Sequence, residues 1–269
     1  MFSLQRGWCV ALALLATAVL VPVQGHAQTS KLDRVLASKK VRVCIWPDYY
    51  GISLRNPKSQ QLQGLDSDMA VELGKDLGVA VEFVDSSFAK LVGDVTTDQC
   101  DVAMFGVGVT PQRAEKLRFA QPTMASDIYA ITTRNNRRLK TWDDIDKPGV
   151  VVAVIKGTLH EPIMRERLKA ATLVVLDSPQ AREQEVESGR ADVFMTDFPY
   201  SRRMLETTDW ARLLSPPSTY HMTSYAYAVA PGDDKWMARI EQFVRDVKAD
   251  GRLLQAASRY KLEPIILKR

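Results

Sequence analysis

Two short segments carry the side chains best suited to hold a small charged molecule. Residues 106–113 read Gly-Val-Gly-Val-Thr-Pro-Gln-Arg, so two glycines whose backbone can approach a ligand closely lead into Thr110 and Arg113. The planar fork of arginine matches a carboxylate, and Arg113 reads either as that fork or as an exposed cation in the first turn of a helix. Asp197 closes the run Ala-Asp-Val-Phe-Met-Thr-Asp and precedes Phe198 and Pro199. It reads either as a seat for an ammonium group or as the N-cap of a helix. One arginine and one aspartate on facing elements would together grip the two charged ends of an α-amino acid.

Signatures of other chemistry are missing. The chain has no Gly-x-Ser-x-Gly elbow, no Gly-x-x-x-x-Gly-Lys phosphate loop and no zinc-protease helix. Gly106-Val107-Gly108 lacks the third glycine of a dinucleotide turn, so no cofactor is expected. His160 and His221 stand apart from each other and there is no Cys-x-x-Cys, so no metal site is expected either. Cys44 and Cys100 lie in strand-like runs, and they read either as a disulfide or as two buried thiols.

These residues need elements to place them. In 269 residues, 46% hydrophobic and 25% charged, there is material for two lobes with a core each, and disorder is excluded. A formal net charge of +4 with no long basic run gives no reason to expect a nucleic-acid partner. Strand-like and helix-like runs alternate from residue 40: strands over 41–46, 79–84 and 101–105, helices over 66–77 and 88–95. The pattern restarts with strands at 150–155, 172–176 and 191–195 and helices at 161–168 and 180–187. This predicts an α/β fold of mostly parallel sheets flanked by helices. If the extended runs 128–133 and 224–230 pair as crossovers, the helices over 234–247 and 253–262 return to the first lobe. The lobes are then 28–131 with 228–269, and 132–227, joined by a two-strand hinge. Residues 1–27, with Arg6, an apolar run and Gly-His-Ala, read as a cleavable export signal, which would deliver the protein to the periplasm.

Several of these runs are similar to one family. Gly64-Leu65-Asp66-Ser67-Asp68-Met69, Cys100-Asp101-Val102-Ala103-Met104, Gly108-Val109-Thr110-Pro111-Gln112-Arg113 and Leu117-Arg118-Phe119-Ala120-Gln121-Pro122 resemble the amino-acid-type periplasmic solute-binding proteins of ABC importers, extracellular family 3. Lys156-Gly157-Thr158 with Glu161, and Ala191-Asp192-Val193 leading to Asp197, match that family's second-lobe landmarks in the same order. The resemblance implies a two-lobed, hinged type II fold that closes on one ligand as a monomer and passes it to a membrane ABC permease. It implies that Arg113 binds the α-carboxylate with help from Gly106 and Gly108, and that Asp197 binds the α-amino group. Trp46, Tyr49 and Phe88 would form an aromatic wall, with Thr158 and Leu159 contributed by the second lobe.

Departures from the family bear on the ligand. Trp46 stands where relatives that bind basic ligands carry an acid, Gly108 where many have a hydroxyl residue, and Ile155 and Leu159 where polar side chains are common. Such walls would leave a charged side chain desolvated, so a neutral, apolar or aromatic ligand side chain is expected. The primary expectation is a binding protein that makes and breaks no bond. Two alternatives stand beside it. One is a periplasmic cyclohexadienyl dehydratase acting on arogenate or prephenate, in which Glu161 is the first candidate for the general acid. The other is a sensor that presents its ligand to a membrane receptor.

Overall fold

The computed structural model describes residues 1, 2 and 29–268. The expected export signal falls almost wholly outside the described residues.

Two five-stranded sheets organise the chain. In the first, the order is Ala80–Asp85, Lys40–Ile45, Val102–Ala103, Ala228–Val229, Arg118–Phe119. The first three strands are parallel, with Lys40 opposite Ala80 and Val43 opposite Val102, and the returning strand Ala228–Val229 is antiparallel to its neighbours. The second sheet repeats the plan as Thr172–Leu176, Val151–Ile155, Val193–Thr196, Tyr129–Thr133, Ala211–Leu214. Here too the first three strands are parallel and Tyr129–Thr133 runs against them. The central strands are nearly unbroken apolar runs, as befits strands covered by helices on both faces.

The two sheets are linked by a pair of crossing segments. Met124–Ser126 runs antiparallel to Thr223–Tyr225, with Thr223 opposite Ser126. This corrects the expected crossovers. The run 128–133 belongs to the second sheet, and 224–230 divides between the crossing strand Thr223–Tyr225 and the sheet strand Ala228–Val229. Extended residues look alike in sequence whether they bridge or join a sheet; the partner strand distinguishes them.

The C-terminal helices cover the first sheet. Asp234–Ala249 begins at the N-cap Asp233, whose carboxylate accepts the Trp236 N–H, and it buries Trp236, Ile240, Phe243 and Val247 at helical spacing. The Trp236 indole N–H donates to the Asp101 carbonyl at 2.8 Å. Arg252, at the start of Arg252–Arg259, pairs with Glu72 and Asp76 on the helix Leu65–Leu77. A disulfide joins Cys44 to Cys100 with Cα atoms 5.6 Å apart, and so fastens the first strand to the turn that enters its parallel neighbour.

The expected helix over 88–95 forms as Leu91–Thr96, leaving Phe88 in the preceding turn, where it faces the space between the lobes. No helix among the described residues is long and apolar enough to cross a membrane.

Candidate functional site

The strand ends of both sheets point into one cleft. Its cavity takes Trp46, Tyr49, Phe88 and Gly106 from the first lobe. From the second come Ile155, Thr158, Leu159, His160, Arg182, Thr196, Asp197 and Tyr200, and Tyr225 enters from the crossing strand.

The first lobe contributes a fixed aromatic wall. Trp46 and Tyr49 follow the strand Lys40–Ile45, and Phe88 meets Trp46 edge-on with centroids 5.0 Å apart. Tyr49 lies 5.4 Å from Trp46, and Phe105 backs Phe88 at 5.1 Å. Gly106 has φ +63, and a Cβ there would stand 2.8 Å from Tyr49 Cε1, so the turn can lie against the ring only as glycine. The turn is also held from behind, because its N–H donates to the buried Asp66 carboxylate at 2.6 Å. Burial pushes the Asp66 carboxyl up to about 7.

Arg113 lies in the short helix Pro111–Ala114, capped by Thr110. Its side chain runs beneath the turn, with Nη1 donating to the Gly108 carbonyl at 2.9 Å and Nη2 to the Gly157 carbonyl of the opposite lobe at 3.0 Å. The guanidinium carbon lies 5.3 Å from the Phe88 ring centroid. Arg113 is buried, no carboxylate among the described residues pairs with it, and desolvation draws its pKa down to about 10. Gly108 is open to neither side: an added Cβ would meet Leu159 Cδ2 at 2.9 Å and Thr223 Cγ2 at 3.2 Å. The glycine where relatives carry a hydroxyl residue and the leucine where they are polar thus occupy one another's space across the cleft.

Asp197 combines both of its expected readings. It is the N-cap of Phe198–Thr207, with Oδ1 accepting the Tyr200 N–H, while Oδ2 accepts the hydroxyls of Tyr225 at 2.9 Å and of Tyr49 from the facing lobe. Burial pushes this carboxyl up, and the hydrogen bonds donated to it oppose that shift. Burial and the Asp197 charge push both phenols well above the usual tyrosine range, so they stay protonated as donors. Thr158 is buried, with its hydroxyl on the Ile155 carbonyl at 2.7 Å.

The cleft holds side chains that the sequence did not single out. Arg182 is 2% exposed and His160 is 7% exposed. Neither imidazole nitrogen meets a hydrogen-bond partner of normal geometry, and burial and the nearby Arg182 charge push His160 down to about 3, so the ring is neutral. The wall is therefore less uniformly apolar than Ile155 and Leu159 suggested. Arg182 shares the buried face of Pro179–Glu187 with Pro179 and Val186, in a helix too polar for that face to be read from the sequence. Glu161, like Arg113 and Gly108, is outside the cavity lining, and its carboxylate accepts from the Gly157 N–H at 2.9 Å and from Arg165 at 2.9 Å. Among the described residues, no cluster of three or more His, Cys, Asp or Glu could hold a metal ion.

Two sheets of repeated topology, linked by a crossing pair and facing each other across a cleft with buried opposite charges, define the two-lobed type II fold of periplasmic binding proteins. The chain belongs to the bacterial extracellular solute-binding proteins, family 3, whose profile matches residues 41–263. Cyclohexadienyl dehydratase of Pseudomonas aeruginosa is 31% identical over 245 residues, 91% of this chain and 89% of that protein. L-cystine-binding protein TcyJ of Escherichia coli is 23% identical, over 93% of this chain and 91% of that one. Among solved structures, the ancestral amino acid-binding protein AncCDT-1, a precursor of cyclohexadienyl dehydratase, superposes with a TM-score of 0.79 at 28% identity, covering 86% of this chain and 99% of its own. The P235GK mutant of ArgBP from T. maritima gives 0.78 at 22% identity, covering 85% and 98%, and supports the fold alone.

The first of these relatives corrects one expectation. A protein named as an enzyme matches nearly the whole chain at 31% identity, so the expectation that this protein makes and breaks no bond does not stand.

Proposed function

We propose that this protein closes on a small α-amino carboxylic acid bearing a six-membered carbon ring, and that its chemistry is cyclohexadienyl dehydration, with arogenate as the substrate type. The observation that carries the capture is a pair of buried, opposite charges that make no salt bridge among the described residues. Arg113 donates to the Gly108 and Gly157 carbonyls, and Asp197 accepts from two phenols and a backbone N–H with the Arg182 charge nearby. Buried charges without a salt bridge are costly, and a zwitterion supplies a partner to both at once. Its carboxylate would displace the Gly157 carbonyl from Arg113, and its ammonium would lie on Asp197. The Trp46, Tyr49 and Phe88 rings suit a flat apolar ring.

The relative from Pseudomonas aeruginosa supports the reaction. In arogenate one ring carbon bears both a carboxylate and the amino-acid side chain, and the opposite carbon bears a hydroxyl. Breaking the bond to the carboxylate releases carbon dioxide and its electron pair enters the ring. The C–O bond then breaks, and the hydroxyl leaves as water after taking one proton, giving phenylalanine. Glu161 is spent on Gly157 and Arg165, so the proton falls to side chains that line the cavity, the Tyr49 and Tyr225 hydroxyls on Asp197. A second reading adds delivery of a bound amino acid to an ABC-type permease after export by residues 1–27. The amino-acid-binding relatives support it.

Thermal unfolding of the mature chain against arogenate, prephenate and the twenty amino acids tests the capture, and product analysis tests the reaction. Arogenate is expected to raise the midpoint by several degrees at about a hundred times its Kd and to yield phenylalanine. Arg113→Ala should weaken binding by about 100-fold or more. A shift with an amino acid but no product from arogenate or prephenate rejects the dehydratase; no shift with any of them rejects the capture.

A further inference from the structure

We propose that Arg182 is a second anion seat within the cleft, built for a carboxylate of the ligand other than the one that Arg113 takes, with His160 as its neutral neighbour on the same wall. The inference rests on the capture reading above and assigns the side chain that takes the second carboxylate of such a ligand.

The geometry of the guanidinium carries the argument. Nη1 is tied to the Met195 carbonyl at 2.9 Å, which fixes the group in the floor of the second lobe. Its carbon lies 4.1 Å from the Phe194 centroid and 4.5 Å from the Tyr200 centroid. Rings against a guanidinium cover its faces and leave its edge, where hydrogen bonds form. On that edge Nε and Nη2 meet no hydrogen-bond partner of normal geometry among the described residues, Tyr200 being the neighbour. Those two nitrogens are the side-on pair of arginine, the pair that takes both oxygens of one carboxylate.

The nearby acids are already committed. Asp197 accepts from Tyr49, Tyr225 and the Tyr200 N–H, and Glu183 is held by Arg203 and the Tyr200 hydroxyl. Among the described residues Arg182 forms no ion pair although it is 2% exposed, and it lines the cavity. A cation so desolvated, with a bidentate edge free, is complementary to an anion that arrives from outside. His160, with both ring nitrogens unpartnered, offers one more donor on that wall. An α-amino acid with an uncharged side chain would leave this edge unused. A ring acid such as arogenate, whose second carboxylate is attached to the ring, would use it.

The test compares two unreactive ligands on the full mature chain. L-3-cyclohexylalanine and L-3-(1-carboxycyclohexyl)alanine share head and ring and differ by one carboxylate. We expect the diacid to bind about 100-fold more tightly, from two charge-assisted hydrogen bonds. Arg182→Gln should cut diacid affinity to near that of the monoacid while monoacid affinity changes less than about threefold, and Arg182→Lys should give an intermediate value. Equal affinity of the two ligands in the unaltered protein overturns the second seat and leaves the capture reading intact. An undiminished preference in a folded Arg182→Gln protein also overturns it. Failure of both ligands to bind overturns the seat together with the capture.

Discussion

Asp66 shows how a buried acid can serve a site it does not line. Its carboxylate takes the Gly106 N–H at 2.6 Å, and burial holds its pKa at about 7 against an ordinary value of 3.8. The folded state therefore binds this proton more tightly than the unfolded state does. Its stabilising contribution is complete below pH 3.8, falls as the pH rises, and is gone once the pH has passed through about 7. Asp66→Asn keeps an oxygen for Gly106 and removes the ionisation. Its melting temperature, measured relative to the parent, should rise steadily between pH 4 and pH 7.5. A constant difference over that range would show that folding does not raise the Asp66 pKa.

At the scale of the element, the helix Phe198–Thr207 both receives and presents Asp197. One carboxylate oxygen caps the helix through the Tyr200 N–H, and the other faces two phenols and the cavity. Asparagine caps a helix about as well as aspartate, so the structural and the ligand-binding roles can be separated. Asp197→Asn should change stability by less than about 1 kcal/mol. It should weaken arogenate about tenfold or more through loss of a charged partner for the amine, while prephenate, which has no amine, is little affected. Calorimetric titration with both ligands measures the contrast. Equal losses would place the ammonium elsewhere.

For the molecule as a whole, the lobes are held together across the cleft by few groups. Arg113 reaches the Gly157 carbonyl, Tyr49 reaches Asp197, and Lys261 meets Glu206 at 3.1 Å. Such contacts are the kind a hinge motion can exchange for contacts to a ligand. The core of the first lobe is braced differently, by the Cys44–Cys100 disulfide that closes a sequence separation of 56. A loop of that length constrains the unfolded chain by roughly 4 kcal/mol in the chain-entropy estimate. Cys44→Ala with Cys100→Ala should therefore lower the midpoint of denaturant unfolding substantially without altering ligand preference. A loss of specificity at unchanged stability would contradict a purely bracing role.

The alternation of strands and helices was legible in the sequence, because apolar periodicity, turn glycines and capping residues act over a few positions and a window of sequence contains them. Arg113 and Asp197 each carried two readings there, and Trp46, Tyr49 and Phe88 followed from the family resemblance and not from periodicity. Tertiary structure alone decided which extended runs cross between lobes, because Met124–Ser126 is defined by its partner Thr223–Tyr225, about a hundred residues away. It also decided that Glu161 turns back onto Gly157 and that Arg182 and His160 enter the cleft. A lone arginine or histidine in a polar helix reads the same whether it meets water or a cavity. What separates the two is desolvation by residues far along the chain, and only the packed fold supplies it.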